Sequence, residues 1–347
     1  MYNWQIMENN IEKAIKRIEK AEKILILISP PDGDSVGTSI VLKRYLESKK
    51  KFVSLYSNKP INSIFEKLPI SKDEIKITDV TKIDFYNYDL LITIDTGNIT
   101  QLYNDQKYKK FKFPDNLDIL CIDHHTSNTN YAKYNIYEKI SSTAEVLYKY
   151  LLRDKFKLDK DEAELLYFAI AWDTGFFRWE INPDTLKYAG ELLTYGIDYN
   201  KLSDIYFRNL PDDFSKVFKK LITRVKFNKR LKYTLLYVDK DLVNKLKIER
   251  NDLKLYLDNF RQNFLLSLTN YDICIIIREI DDFHVISFRG NAYTNKIDLT
   301  QIKNYYDFNG GGHKNACSFA SNGSYEDIIK NINISIKDLY IKSNKVK

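Results

Sequence analysis

The chain is short of several features that would have pointed elsewhere. Its 347 residues include three cysteines, Cys121, Cys274 and Cys317, widely separated and without a CxxC pair. That usage argues against a disulfide scaffold or a zinc–thiolate site, and for a reducing compartment. Apolar runs are brief. The first spans residues 24–28, and no stretch approaches the ~20 apolar residues that cross a bilayer. The opening MYNWQIMENN is polar rather than signal-like, so a soluble, cytoplasmic protein without a membrane anchor is expected. Glycine and proline are scarce, at 11 and 7, and there are only four histidines.

The composition that is present bounds the rest. A chain of this length exceeds most single cores and implies two domains. Hydrophobic residues make up 44% and aromatics 14%, enough for globular cores. The formal charge of +7 modestly favours an anionic partner. A chain rich in Lys, Asn, Ile and Tyr carries such a charge without binding nucleic acid, and most of its 26 tyrosines stand at core spacings.

Two of the four histidines stand side by side in Asp123-His124-His125, directly after the strand-like run 117–122. That places them where a strand of an open parallel sheet meets its loop. Three other apolar runs end in aspartate: 24–28 before Asp32-Gly33-Asp34, 90–94 before Asp95-Thr96-Gly97, and 165–172 before Asp173-Thr174-Gly175. A lone aspartate at such a place is most often a helix cap or a turn residue. Four sites together with a histidine pair point instead to a shared metal centre, because buried carboxylates need a cation or a partner.

Apolar periodicity gives strands at 24–29, 52–57, 89–95 and 117–122, alternating with helices near 36–48 and 99–108 after a first helix at 9–22. Helices follow at 142–152, 160–172, 184–195 and 212–226. Strands at 231–239, 271–280 and 283–289 form a second sheet, with helices at 251–266 and 325–342. The expected architecture is α/β: an N-terminal, mainly parallel sheet with flanking helices plus a smaller C-terminal α/β domain. Its divisions are 1–195, a linker at 196–212, and 213–347. Ser142 and Glu145 have the spacing of a capping box, which is preferred to a catalytic role for Glu145. Arg178 reads as slightly more structural than phosphate-binding, and His284 as structural or exposed.

The segments Pro31-Asp32-Gly33-Asp34 with Gly37-Thr38, then Ile94-Asp95-Thr96-Gly97, Asp123-His124-His125, Ser142-Thr143-Ala144-Glu145 and Asp173 to Arg178 follow one another in a recognisable order. With Gly310-Gly311-Gly312-His313 near the C-terminus, they resemble the DHH superfamily of metal-dependent phosphoesterases and its associated C-terminal domain. Within it, the resemblance is to the nanoRNase, pAp-phosphatase and cyclic-dinucleotide phosphodiesterase group. It implies a two-ion Mn²⁺ centre. Asp34, Asp95, His124 and Asp173 would hold one ion, Asp32 and Asp95 the other. His125 would face the scissile phosphate, and Asp123 would orient the pair.

The three-glycine run reads as a loop whose backbone N–H groups approach an anion, so Gly311, Gly312 and His313, with Arg289, would bind substrate. The implied partner is a short nucleotide (nanoRNA, pAp or cyclic di-AMP) in a cleft between the domains, with no long duplex nucleic acid and no membrane; a homodimer is compatible. One position departs from the family pattern. Where the family has histidine four residues before the first aspartate, this chain has Ile28. The first ion site is therefore expected to be weak, and a nucleotide-binding protein with lost catalysis is the alternative.

Overall fold

The computed structural model describes residues 2–103, 111–179, 181–208, 213–248, 250–291, 293–305 and 309–345. The chain divides into two compact units, Met1–Asn209 and Leu210–Lys347.

In the first unit the elements run α1 (Tyr2–Lys20), β1 (Lys23–Ile28), α2 (Gly33–Ser48), β2 (Phe52–Ser57), β3 (Lys76–Ile77), β4 (Leu90–Ile94), β5 (Asp118–Asp123) and β6 (Tyr134–Tyr137). Then come α3 (Thr143–Leu147), α4 (Lys160–Asp173), α5 (Pro183–Leu193) and α6 (Tyr199–Phe207). The strands form one sheet in the order β3-β2-β1-β4-β5-β6, and every pairing in it is parallel. Central β1 and β4 are buried along nearly their whole length. Such strands read as unbroken apolar runs because both faces are covered. Ile24, Ile26 and Ile28 enter the large core with residues of α2 to α6, while Leu25 and Leu27 pack on the opposite side with Val80, Phe85, Leu102 and Leu117. The strand order reverses between β1 and β4, where successive connections leave in opposite directions and open a crevice at the strands' C-terminal ends.

Three expectations change in this unit. The helix expected at 142–152 is a short α-helix followed by a π-helical turn, Tyr148–Leu152. Of the helix expected at 99–108, Ile99–Tyr103 is a 3₁₀ turn and the remainder lies outside the described residues. The stretch 196–212 is not a linker throughout: α6 occupies much of it, with Leu202 and Ile205 buried in the first unit's core. Its polar outer face, rich in Asn, Lys and Asp, makes it look like a connection in sequence.

The second unit contains α7 (Phe214–Ile222), β7 (Val225–Asn228), β8 (Tyr233–Val238), α8 (Lys240–Leu246), α9 (Arg250–Asn263), β9 (Ile273–Ile280), β10 (Phe283–Gly290), β11 (Asn309–His313), β12 (Ala316–Ser321) and α10 (Tyr325–Lys345). Its sheet order is β11-β12-β10-β9-β8-β7, with only β8 and β9 parallel. Residues of α10 cover one face and residues of α7 and α9 the other. The expected strands β8, β9 and β10 are present. β11 and β12 were not expected, because small and polar residues hide their period, and β7 was not expected because the helix read at 212–226 ran into it, whereas α7 ends at Ile222.

The close approach of α2 and α4 sets the position of two site segments. A Cβ at Gly37 would lie 2.7 Å from the Leu165 carbonyl oxygen and 3.0 Å from the Ala169 Cβ. Gly37→Val is therefore expected to destabilise the protein by about 1–3 kcal/mol through overpacking. Denaturant unfolding measures this, and an unchanged midpoint would show that the two helices separate without cost.

Candidate metal centre

Four chain segments converge at the C-terminal edge of the parallel sheet. The turn after β1 carries Asp32 and the first turn of α2 carries Asp34, Asp95 follows β4, Asp123 ends β5 with His124 and His125 after it, and the last residue of α4 is Asp173. Donor atoms of Asp34, Asp95, His124 and Asp173 lie within 4.8 Å of one another. Asp34 is fully buried. Its carboxylate accepts hydrogen bonds from the Thr143 N–H at 2.6 Å, the Ala144 N–H at 2.9 Å and the Thr38 hydroxyl at 3.0 Å. The first backbone N–H groups of α3 are thus aimed at a carboxylate, which suits the positive end of a helix.

Asp95 sits at φ +55°, a left-handed conformation that few residues other than glycine, asparagine and aspartate adopt readily. The Thr143 hydroxyl donates to its Oδ1 at 2.9 Å. His124 Nδ1 donates to the Ile140 carbonyl at 3.0 Å, which turns Nε2 toward Asp173 Oδ2 at 3.1 Å and Asp95 Oδ1 at 3.5 Å. A backbone acceptor on one ring nitrogen is the usual means of presenting the other to a metal.

The electrostatics of this cluster are those of a cation site. Burial raises the Asp34 carboxyl well above its usual range, and the charges of Asp173 and Asp95 raise it further. Burial, then Asp32 and Asp173, do the same to Asp95. Burial alone would lower His124, but its bond to Asp173 and the surrounding carboxylates outweigh it and raise the imidazole well above its ordinary value. Without a cation the cluster holds protons; a divalent ion relieves the same repulsion. Three carboxylates and one imidazole fit a hard or borderline divalent ion such as Mn²⁺ better than a thiophilic one.

His125 is held differently. Its Nδ1 lies 2.7 Å from Asp123 Oδ1, while the Asn128 amide donates to Asp123 Oδ2 at 2.6 Å. Burial by itself would raise the Asp123 carboxyl, yet the hydrogen bond and charge of His125, the charge of His124 and the Asn128 bond hold it below the ordinary range. An ionised Asp123 requires His125 Nδ1 to be the donor, which removes that nitrogen as a ligand even though Asp95, His124 and His125 also form a compact group. A Cβ at Gly97 would approach the His125 Cβ to 3.3 Å, so a larger residue there would press on the ring.

Asp32 is not in either compact group. It caps α2, accepting from the Ser35 N–H at 3.0 Å, while its own N–H bonds to the Ser35 hydroxyl at 2.9 Å. It still lies near enough to raise both Asp34 and Asp95. Ile28 is fully buried, in register with Ser57 and Ile94.

Thr143 was missed in the sequence, although it bonds both Asp34 and Asp95; its only signal was its place in the Ser-Thr-Ala-Glu segment. The capping box there is half formed. Ser142 accepts from the Glu145 N–H at 3.2 Å, but the Glu145 carboxylate turns to the Thr185 hydroxyl at 3.1 and 3.2 Å. Burial pushes that carboxyl up to about 7. Arg178 is exposed, after three left-handed residues, Gly175, Phe176 and Phe177.

In the second unit the glycines expected to form a loop form strand β11 instead, paired to β12. A Cβ at Gly310 would meet the Ser318 carbonyl oxygen at 2.2 Å, and one at Gly312 the Ala316 carbonyl oxygen at 2.2 Å. Gly311 between them is exposed, with nothing near its Cβ direction. The backbone of His313 ends this strand, and its side chain lies outside the described residues. His284 packs in a structural cluster, with its Nε2 3.4 Å from the Tyr237 hydroxyl.

A doubly wound sheet with a carboxylate–histidine cluster at its switch point defines an α/β domain with a candidate metal centre. Residues 23–170 match the DHH family, N-terminal domain. It is 26% identical over 317 residues to an uncharacterized protein of Methanocaldococcus jannaschii, covering 88% of this chain and 60% of that one. It is 30% identical over 177 residues to the bifunctional oligoribonuclease and PAP phosphatase NrnA of Bacillus subtilis, covering 50% of this chain and 52% of the relative. The chain thus spans between about half and 60% of these curated relatives' length. The crystal structure of an exopolyphosphatase-related protein from Bacteroides fragilis superposes with a TM-score of 0.79 at 22% identity, over 97% of this chain and 98% of that one, so the shared fold runs through both units.

The raised groups set a sign for pH dependence. Asp34, Asp95, His124 and Glu145 have folded values above their unfolded ones. Their contribution is complete below the unfolded value and is lost as pH rises through the folded one. Asp123 has the opposite sign, but its contribution is lost only below the ordinary carboxylate range. In chelator, the melting temperature is therefore expected to fall as pH rises from about 5.5 to about 8. Mn²⁺ should flatten the slope. A metal-free protein that gains stability over this interval would contradict the account.

Proposed function

We propose that this protein is a divalent-metal-dependent phosphoesterase acting on short nucleotides, with Mn²⁺ the preferred ion. One observation carries the reading: Asp34, Asp95, His124 and Asp173 gather four ligand atoms within 4.8 Å, beside an imidazole fixed by Asp123. Asp34, Asp95, His124 and Asp173 would hold the ion, which when bound polarises a phosphoryl oxygen and lowers the pKa of water. Thr143 holds two of the carboxylates in place. His125, anchored through Nδ1, presents Nε2 as the nitrogen assigned to the phosphoryl oxygen or the leaving group. The names of the NrnA relatives support oligoribonucleotides and the 3′,5′-bisphosphate pAp as substrates, and a linear dinucleotide from cyclic di-AMP belongs to the same class. Among the described residues no helix is long and apolar enough to cross a membrane, which agrees with a cytoplasmic substrate pool.

A second reading has its own observation. Ile28 cannot ligate, and the Asp32 carboxylate is engaged in capping α2. The second ion of a two-ion centre would therefore be loosely held, and a protein that binds nucleotide without turning it over follows from that loss.

Purified protein with Mn²⁺, linear dinucleotides and pAp, followed by product chromatography, separates the readings. Turnover supports the first; nucleotide binding without turnover across a full Mn²⁺ titration supports the second. Asp95→Asn keeps a residue that tolerates the left-handed backbone and removes one charge. It is expected to reduce turnover by more than the ~10–100-fold typical of losing a partner outside the ligand set. In chelator it should melt no lower than the wild type, because it relieves carboxylate repulsion. Near-normal turnover would overturn the ligand assignment.

Ile28→His tests the weakened site. Burying an unpartnered imidazole in the core should lower metal-free stability by about 1–3 kcal/mol. The Mn²⁺ concentration for half-maximal activity should fall. An unchanged Mn²⁺ requirement would show that position 28 does not limit ion binding.

A further inference from the structure

In the loop after β5, Thr126, Ser127, Thr129 and Asn130 are exposed, but Asn128 is half-buried and turned toward Asp123. Both ends of its amide are engaged. Oδ1 accepts the Asn130 N–H at 2.7 Å, while Nδ2 donates to Asp123 Oδ2 at 2.6 Å and to Cys121 Sγ at 3.7 Å. A backbone N–H can only donate, so the Asn130 contact fixes which end of the amide is oxygen and leaves the NH2 group facing Asp123. The Asn128 N–H also bonds the His125 carbonyl at 3.0 Å, and the Thr129 N–H bonds the Gly97 carbonyl at 2.9 Å. One side chain thus ties the loop that carries His125 to the strand end that carries Asp123.

Asp123 has no exposed surface, so water cannot replace a bond that it loses. Its two oxygens are divided, Oδ2 to Asn128 and Oδ1 to His125 Nδ1 at 2.7 Å. That imidazole nitrogen has a second carboxylate nearby, Asp95 Oδ1 at 3.5 Å. Were Asp123 free to rotate about its Cβ–Cγ bond, Asp95 would become an alternative acceptor for the Nδ1 proton. Anchoring Oδ2 opposes that rotation and keeps Asp123 for the imidazole and Asp95 for the cation. The packing leaves little slack. A Cβ at Gly97 would lie 3.3 Å from the His125 Cβ and 3.6 Å from both the Asn128 backbone nitrogen and Asp123 Oδ2.

We propose that Asn128 is the positioning residue of His125: by holding Asp123 Oδ2 it keeps the imidazole proton on Nδ1 and the ring fixed beside the metal centre. It acts through Asp123 and lies outside the ligand set. Its consequence for turnover rests on the function proposed above, whereas the tautomer of His125 is read without turnover.

Asn128→Asp isolates the donor. It keeps the acceptor used by the Asn130 N–H, and with it the turn, but at neutral pH it sets a second carboxylate against Asp123 Oδ2. At acid pH a proton shared by that pair supplies the missing donor. Asn128→Ala removes donor and acceptor together. Two-bond proton–nitrogen correlation spectra of isotopically labelled histidines are recorded in chelator at alkaline pH, with His125 assigned among the four histidines through His125→Gln. The wild-type ring should carry its proton on Nδ1, and in both variants the Nε2-protonated form should become a major species. With Mn²⁺ and a linear dinucleotide or pAp, turnover should fall by about 10- to 100-fold in both variants. The loss should lie in kcat rather than KM, with the Mn²⁺ requirement little changed. Relative to wild type, Asn128→Asp should regain activity as pH is lowered from about 8 to about 6, and Asn128→Ala should not.

A ring that stays protonated on Nδ1 in both folded variants overturns the proposal, as does a wild-type ring protonated on Nε2. A pH profile of Asn128→Asp parallel to that of the wild type also overturns it, because the loss would then come from the loop rather than the donor. Should Asn128→Ala fail to fold, Asn128→Asp decides. If the tautomer shifts as stated while the wild type hydrolyses no substrate, the proposed hydrolase fails and the hold of Asn128 on His125 survives.

Discussion

The carboxylate of Asp34 is fully enclosed and is held by two backbone N–H groups at the start of α3. Much of the first unit's arrangement follows from that contact. It joins the loop after β1 to a helix more than a hundred residues later, and it fixes Thr143, whose hydroxyl then reaches Asp95. Asp95 in turn brings the end of β4 against His124 at the end of β5. A charge buried this deeply is tolerable only because each neighbour carries a share of its compensation. The helix end supplies fixed dipoles, His124 supplies a proton or a ligand, and the remaining repulsion between carboxylates is what a divalent cation would remove. The centre is therefore least comfortable when it is neither protonated nor metal-bound, so an ion would displace its protons and would bind more tightly as pH rises.

Much of this geometry was legible in the sequence because the relevant elements obey simple periods. β1, β4 and β5 are unbroken apolar runs ended by polar residues, and such runs belong to buried parallel strands whose ends carry the site. The helical period of α4 likewise led directly to Asp173. What could not be read was the role of residues that act through their backbone. Thr143 and Ala144 each donate an N–H to Asp34, a property independent of side-chain identity, and only the Thr143 hydroxyl, bonded to Asp95, depends on its side chain. Glu145 had the spacing of a capping residue, but a threonine forty positions later offered its carboxylate a better partner. The cap at Asp32 was the ordinary expectation for an aspartate before a helix, and here the ordinary expectation describes it.

The second unit was harder to read for a different reason. β11 and β12 consist of glycine, alanine, serine and asparagine around a few apolar residues, so they show neither the alternation nor the branched side chains of a typical strand. The glycine run invites a loop, yet its first and third glycines exist because β12 passes too closely for a side chain. Only Gly311 keeps its backbone open. The small residues also matter for their neighbours: they leave one face of the sheet low and polar beside Arg289, where bulky branched residues would have covered it.

The two units thus carry opposite electrostatic excess in their interiors. The first gathers Asp34, Asp95 and Asp173 around one imidazole, His124, and the second gathers Arg261, Arg278 and Arg289 near one carboxylate, Asp258. In the first, Asp34 is fully buried and His124 nearly so, whereas in the second only Arg261 is buried and Arg278 and Arg289 are part-exposed. Each excess belongs to its own unit and marks a place where an ion of opposite sign would be favoured. The surface charge of the chain gave no such indication, since +7 spread over 347 residues is unremarkable for a lysine-rich protein. It is the placement of a few charges inside each unit, rather than their number, that sets the two interiors apart.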